Sequence, residues 1–349
     1  LLHEFASRLA QSVCLSDVVA RLGGDEFGII QKNITNSDEC VQLAQYIHEQ
    51  INCEMNVHGY RVYPNVSIGI SVYPDDAEHP DKLLNNADTA MYCAKNNDDA
   101  CHRLFEQEMN DNVLRYRILS ESLQAALEHD QIQQVYQPII CLKTKRIVSV
   151  EALLRWHHEQ YGYISPPEVV SIAEEAGLAE KLNEWVLLKA CSQNMIWRKA
   201  GLPRVQVSVN ISPAMYTRYD LVGVVSRTLS NTGLPANQLV IEVTEDTTMQ
   251  DIESSPGILQ KLRHLGVELA LDDFGTGYSS LSHLKKMPFQ KVKIDKVFIQ
   301  ELNNGPKDMS FIRTIINLAH GLGMQVVAEG IEVIEHYEDL YREGCEYGQ

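Results

Sequence analysis

Positive charge is what this sequence has little of: 30 lysines and arginines stand against 47 aspartates and glutamates, for a net charge of −17. A protein that tracks the backbone of a nucleic-acid polymer needs a basic footprint, so this balance excludes that class of partner. A small anionic phosphate ligand stays compatible, provided that lysine, arginine or metal ions gather positive charge locally. The eight cysteines include no C-x-x-C pair and no Cys/His cluster with zinc-binding spacing. Reduced thiols in a cytosolic protein are the simplest reading. No apolar run reaches the roughly 18–20 residues of a membrane span, and no secretory leader is present. The sequence starts without Met inside a helix-like segment. It therefore reads as a cytoplasmic fragment, with room for a sensor or membrane region upstream in a longer protein.

What is there, 349 residues with 44% hydrophobic and 22% charged, is long for one hydrophobic core and predicts two domains. The first, 1–104, is predicted as α+β. It carries helical spacing over 1–10 (Leu1, Leu2, Phe5, Leu9) and strands at 17–21 and 27–31 around the tight turn Gly23-Gly24-Asp25-Glu26. A helix over 40–53, a strand over 66–72 closed by Pro74 and a helix over 82–95 complete it. A polar turn at 96–100 interrupts the pattern. Val113, Leu114, Leu119, Leu123 and Leu127 then fall at helical spacing, predicting a connecting helix over 105–128. No Pro/Gly/Ser-rich linker separates the parts, so the joint is expected to be stiff.

From 129 to 349 strands and helices alternate. Strand-like runs lie at 133–140, 147–154, 205–211, 239–244, 268–272, 291–294 and 325–329, with an eighth from Cys345. Ser165-Pro166-Pro167-Glu168 opens a helix followed by Gly177, and a longer helix over 182–199 ends near Gly201. This rhythm predicts an α/β fold, a TIM-like (β/α)8 barrel. The connection 141–146 is too short for a helix, so the first two strands should pair antiparallel, making the barrel a modified one. A doubly wound open sheet is the alternative.

In a barrel, chemistry sits at the C-terminal ends of the strands. Those ends read Glu151, Asn210, Glu242, Asp272-Asp273, Lys293, Glu329 and Gln349. Carboxylates converging on one mouth repel one another, and burying them unpaired costs several kcal/mol each. They call for a cation, and hard oxygen ligands without His or Cys point to Mg2+ or Mn2+ rather than zinc. An Asp of the adjacent pair could bridge two ions about 3.5–4 Å apart, the spacing of two-metal phosphoryl hydrolases. Lys293 offers a fixed positive charge for the attacking water or a phosphate oxygen. The Gly- and Ser-rich run from Asp273 to Ser280 reads as a loop able to close over the mouth.

These residues also carry a resemblance. Glu151-Ala152-Leu153 with Leu154-Arg155-Trp156, Asn210-Ile211-Ser212, Glu242-Val243-Thr244-Glu245, Asp272-Asp273-Phe274-Gly275, Lys293-Ile294-Asp295 and Ala328-Glu329-Gly330-Ile331-Glu332 stand in order. Together they resemble the EAL family of c-di-GMP phosphodiesterases, from about residue 131 to the end of the chain. The resemblance implies hydrolysis of cyclic di-GMP to linear pGpG with two Mg2+ or Mn2+ ions. It implies that Glu151, Asn210, Glu242 and Asp272 ligate one ion, with Asp272, Asp273 and Glu329 on the side of the second. Glu329 would also act as general base, Lys293 would hold the catalytic water, and Glu245 would steady the loop that begins at Asp273. Gln137, Arg155, Glu332 and Gln349 match positions that contact or frame the dinucleotide. The chain stops at Gln349, short of that family's last helix, which leaves closure of the barrel as a question.

The first domain has its own signature. Arg21-Leu22-Gly23-Gly24-Asp25-Glu26-Phe27 resembles the GGDEF motif of diguanylate cyclases, supported by Ser67-Ile68-Gly69 and Met91-Tyr92-Cys93-Ala94-Lys95. A Gly pair lets the turn approach a nucleotide closely, and Asp25 and Glu26 can hold Mg2+ or guanine. Three departures argue against cyclase activity. The upstream segment bearing that family's other metal Asp is absent. Asp98-Asp99-Ala100 puts negative charge where a triphosphate needs positive. The inhibitory product site, an R-x-x-D in that family, reads Cys14-Leu15-Ser16-Asp17. The domain is expected to be a partial, regulatory GGDEF domain that binds GTP. The resemblance further implies a homodimer through the EAL domain. A non-catalytic c-di-GMP receptor, a bifunctional cyclase/phosphodiesterase and an acid-rich barrel handling enolates are the alternatives.

Overall fold

The Gly-Gly-Asp-Glu turn closes the first hairpin. Val18–Gly23 (β1) and Glu26–Ile30 (β2) pair antiparallel with Gly23 opposite Glu26, so the turn tightens to Gly24-Asp25. Gly24 takes the positive φ (+49°) that such a turn demands, and Arg21 Nε donates to its carbonyl at 3.0 Å. The computed structural model describes residues 1–57, 60–95, 101–217, 219–245, 255–275, 284–304 and 306–349. They form two compact units, Leu1–Ile118 and Leu119–Gln349.

In the first unit the helices Leu2–Gln11, Ser37–Ile51 and Pro80–Lys95 form where apolar spacing predicts them. The second starts three residues earlier than expected, because the Asn36 side chain caps it by accepting from the Glu39 N–H at 3.1 Å. Two short pairings escape the sequence pattern. Met55–Val57 (β3) and Tyr60–Val62 (β4) make a hairpin, and Ile68–Ile70 (β5) pairs in parallel with His102–Leu104 (β6). The strand expected over 66–72 is only three residues long. Three-residue strands are too short for alternation to register. Gly69 is where β5 meets the helix Pro80–Lys95: a Cβ there would lie 1.9 Å from the Ala87 carbonyl oxygen. Only glycine permits that approach. Residues Asp98-Asp99-Ala100, singled out above, lie outside the described residues. The helix expected over 105–128 is Gln107–Glu128.

The second unit is a closed barrel of eight strands. The ring runs Ile132–Cys141 (β7), Arg146–His158 (β8), Gln206–Asn210 (β10), Leu239–Thr244 (β11), Glu268–Phe274 (β12), Lys291–Ile294 (β13), Gln325–Ala328 (β14) and Tyr347–Gly348 (β15), then back to β7. Gly162–Ile164 (β9) extends β8 as a hairpin outside the ring. β7 is antiparallel to both its neighbours, as the short connection to β8 requires, and the other ring pairings are parallel. The open-sheet alternative is thereby overturned. The question of closure is settled too: two residues of β15 pair with β14 on one side and β7 on the other. Strand alternation divides the residues between two faces. Val207, Val209, Ile241, Val243, Leu269, Leu271, Val292, Ile294 and Val326 are buried in one cluster with helix residues such as Leu187, Val224, Leu259 and Ile316. Burying each such side chain contributes about 1.5–3 kcal/mol, so this shell holds the ring closed. The alternate positions face the barrel axis, and they carry the polar residues.

One expectation needs correction. Glu151 does not end its strand. β8 runs on to His158 because its second half pairs with β7 and β9 after leaving β10. Glu151 instead sits beside Ala152, the last residue of β8 in register with β10.

Candidate active site

At the C-terminal mouth the ladder register sets each acid opposite a neutral polar residue of the neighbouring strand. Ser208 is opposite Glu151, Asn210 opposite Glu242, and Thr244 opposite Asp272. Lys293, third residue of β13 and 2% exposed, extends its ammonium into the middle of the group. Its Nζ lies 3.1 Å from Glu151 Oε2, 2.9 Å from Glu242 Oε2, 3.1 Å from Asp272 Oδ1 and 2.7 Å from Glu329 Oε1. Glu151 receives two further hydrogen bonds, from Asn210 Nδ2 at 2.7 Å and Gln349 Nε2 at 2.6 Å. Glu151 and Glu242, 4% and 2% exposed, are walled in, whereas Glu329 reaches the rim.

One ammonium cannot balance four carboxylates. Burial raises Glu151, but Lys293, Gln349 and Asn210 outweigh it and hold that carboxyl below its usual range. Glu242 goes the other way. Burial, helped by the charges of Glu151 and Asp272, pushes it up to about 8 in spite of Lys293. Burial likewise pushes Glu329 up to about 7, and Asp273 to about 6 with the Asp272 charge next in importance. For Lys293 burial acts to lower the pKa, and the four carboxylates reverse it and hold the ammonium well above the lysine range. Glu242, Asp273 and Glu329 are held against their preference for water, as expected of a site built for added positive charge. The donor set fits a hard divalent cation. Carboxylate oxygens of Asp272, Asp273 and Glu329 all lie within 4.8 Å of one another. Gln349 Oε1 is buried without a hydrogen-bond partner among the described residues.

Asp273 is brought to the mouth by a positive φ of 55°, unusual for a residue with a Cβ. Its N–H is 3.1 Å from Asp272 Oδ1, and the next turn is tied down where Glu245 Oε2 accepts from the Gly275 N–H at 3.0 Å. The loop expected to close over the mouth continues through 276–280, outside the described residues. Arg155, half-buried, lies four residues beyond Glu151 on the same face of β8, its Nη1 donating to the Leu154 carbonyl at 2.7 Å. Gln137 pairs with Glu151 across β7 and β8 and is exposed, as is Glu332 beyond β14. The motif Gly23, Gly24, Asp25, Glu26 and Phe27 belongs to the first unit; its Asp25 and Glu26 are exposed, and Phe27 packs on Phe5 with ring centroids 5.0 Å apart. Asp295 had no role assigned from the sequence. Its carboxylate accepts from the Val297 N–H at 2.7 Å and hydrogen-bonds the Asp273 side chain. The signal was its place two residues after Lys293, where the chain leaves the barrel.

The EAL domain profile matches residues 120–349, and the diguanylate cyclase GGDEF domain profile matches residues 1–101. The bifunctional diguanylate cyclase/cyclic di-GMP phosphodiesterase MucR of Pseudomonas aeruginosa is 38% identical over 345 residues, covering 99% of this chain and 50% of its own length. The cyclic di-GMP phosphodiesterase NbdA of the same organism is 35% identical over 353 residues, covering 100% and 44%. The chain thus spans about half the length, or less, of these curated relatives. Among solved structures, the PaMucR phosphodiesterase in complex with c-di-GMP superposes with a TM-score of 0.63 at 39% identity, over 66% of this chain and 94% of that one.

Proposed function

The chain belongs to the EAL domain family, and on that premise we propose that its barrel hydrolyses cyclic di-GMP to linear pGpG with Mg2+ or Mn2+. The observation that carries the reading is Lys293 held within 3.1 Å of four carboxylates at the catalytic end of the barrel. Glu151, Asn210, Glu242 and Asp272 would hold one ion, and Asp272, Asp273 and Glu329 a second. Two such ions, when bound, would activate water and neutralise the phosphoryl oxygens. The chain's own groups do the rest. Lys293 fixes a positive charge at the floor of the mouth, aimed where phosphoryl charge develops. Glu329, at the rim, takes the proton of the attacking water. The water oxygen bonds to phosphorus as one phosphodiester P–O bond breaks. The leaving ribose oxygen takes up a proton, and pGpG results. Gln137, Arg155, Glu332 and Gln349 surround the mouth and orient the dinucleotide, while Glu245 holds the turn at Gly275 so that Asp273 keeps its direction.

The first unit, on this reading, is a regulatory GGDEF domain that takes GTP at the exposed Gly24-Asp25 turn, and self-association through the EAL domain belongs to the same proposal. The test of the catalytic reading is direct. Wild-type protein with Mn2+ is expected to release pGpG from cyclic di-GMP, and Glu151→Ala to do so about a hundredfold more slowly. Equal rates for the two would remove Glu151, and with it the proposed site, from the reaction.

A further inference from the structure

The helix Ala179–Lys199 buries Leu187, Ala190 and Cys191 in the core around the barrel, and two asparagines share that face. Asn183 and Asn194 are 4% and 1% exposed. A buried amide costs stability unless its hydrogen bonds are made, and an apolar residue would serve packing alone as well or better. Both amides bond to the chain that carries β10, one at each end of the strand. Asn194 Nδ2 donates to the Val205 carbonyl at 3.0 Å, just before the strand begins. Asn183 holds the chain just after it ends. Its Nδ2 donates to Ser212 Oγ at 3.2 Å, and its Oδ1 accepts from the Ser212 N–H at 3.4 Å. A further bond from Nδ2 to the Ala179 carbonyl, at 2.8 Å, fixes the orientation of the amide itself. Neither asparagine has a part in the proposed chemistry.

What lies two residues before Ser212 gives this bond its meaning. Asn210 is the last residue of β10 in register with β11, and its Nδ2 donates to Glu151 Oε1 at 2.7 Å. Its side chain is exposed at the open mouth, so packing does little to hold its direction and the backbone must do so. Beyond Asn210 the chain leaves the ladder. The Ile211 N–H still reaches the Glu242 carbonyl at 3.3 Å, and Ser212 then turns the chain into the short helix Pro213–Thr217. Pro213 has no N–H with which to tie that turn down. The Asn183 amide supplies, from the neighbouring helix, the bonds that the ladder no longer makes. We propose that Asn183 is a positioning residue for the metal site: it pins the exit of β10 so that Asn210 keeps its amide nitrogen on Glu151 and its amide oxygen available to the ion. The proposal rests on the reading of Asn210 as a metal ligand.

The experiment measures Mn2+ binding to the full chain without substrate, from the loss of the free-ion EPR signal. Removing a group that orients a metal ligand typically costs about 10–100-fold in affinity, so Asn183→Ala should weaken Mn2+ binding by about tenfold or more. Asn194→Ala removes a matching bond at the other end of β10. It should lower the urea midpoint, as Asn183→Ala does, yet leave Mn2+ affinity unchanged. Asn210→Ala should weaken Mn2+ in its own right, and adding Asn183→Ala to it should cost nothing more, because residues that act through one contact are not additive. Unchanged affinity in Asn183→Ala or Asn210→Ala, an equal loss in Asn194→Ala, or a full further loss on top of Asn210→Ala overturns the proposal. If Asn183→Ala fails to fold, Ser212→Ala removes the hydroxyl side of the pin, with a smaller loss expected and the same overturning results. Should wild type bind no Mn2+, the metal reading fails, and a crystal structure of Asn183→Ala decides the positioning alone. An Asn210–Glu151 bond kept at its wild-type length would overturn it, and a lost bond would support it. Wild type that binds Mn2+ with this dependence on Asn183 yet leaves cyclic di-GMP intact would support the pin and count against the catalytic reading, so the two failures are told apart.

Discussion

Replacing Lys293 by methionine is expected to lower kcat for cyclic di-GMP by about a thousandfold and to make the protein's stability depend on divalent metal. The first effect follows from place. Removing one preorganised charge aimed at a developing transition-state charge typically costs about 10²–10³ in rate, and Lys293 is the cation that touches Glu151, Glu242, Asp272 and Glu329 together. The second follows from what is left behind. Methionine fills the volume but leaves four carboxylates without their common counter-ion, and breaking a buried ion pair costs about 3–5 kcal/mol. Urea unfolding in chelator should show a deficit of that order. Adding Mg2+ should narrow it, because a bound ion returns positive charge to the same oxygens and stabilises the folded state by mass action. A Lys293→Met protein that keeps wild-type kcat, or whose deficit ignores metal, would show that the ammonium does not organise this site.

Glu242→Gln is expected to move stability and activity in opposite directions. Glu242 is 2% exposed, and burial with the neighbouring charges of Glu151 and Asp272 holds its carboxyl up at about 8. In the metal-free protein at pH 7 that carboxyl has taken up a proton at a cost to folding, whereas the amide keeps the shape without that cost and leaves Lys293 its other three carboxylates. Each tenfold of proton affinity that burial adds to a carboxyl costs folding about 1.4 kcal/mol at neutral pH, so metal-free Glu242→Gln should unfold at higher urea than metal-free wild type. Turnover should fall by about 10²–10³, since the substitution removes an anionic oxygen ligand. Misfolding would lower both quantities. A gain in one with loss of the other marks a residue kept for function at the expense of stability. Lower stability in chelator would mean that Lys293 already satisfies Glu242, and the argument for a missing cation would weaken accordingly.

Much of this was legible in the sequence, for identifiable reasons. Strands rich in Val, Ile and Leu with one polar residue near the end announced both the barrel and its mouth, and the six-residue span 141–146 announced the inverted first strand. The position of Glu151 was misjudged because β8 has two successive partners. It leaves β10 after Ala152 and continues with β7 and β9, so the end of the apolar run is not the end of the strand. The pairing of β5 with β6 was invisible because each is three residues long and they are joined only by tertiary contact. Asp295 drew no role because an Asp before a helix reads as a cap, which it is. Its reach to Asp273 is a matter of three-dimensional placement. Gln206, Ser208 and Lys291 stand out in the sequence as polar residues alternating with apolar ones. Only the closed ring puts them around one cavity.

The central claim is that the acidic mouth is a metal site for opening a phosphodiester bond, and one titration tests it most directly. Cyclic di-GMP at saturation is incubated with chelator-treated protein, Mn2+ is added stepwise, and pGpG is quantified. The account predicts no product in chelator and a rate that rises with Mn2+ to a plateau. Product formed equally in chelator, or cyclic di-GMP bound and left intact at saturating Mn2+, would contradict it.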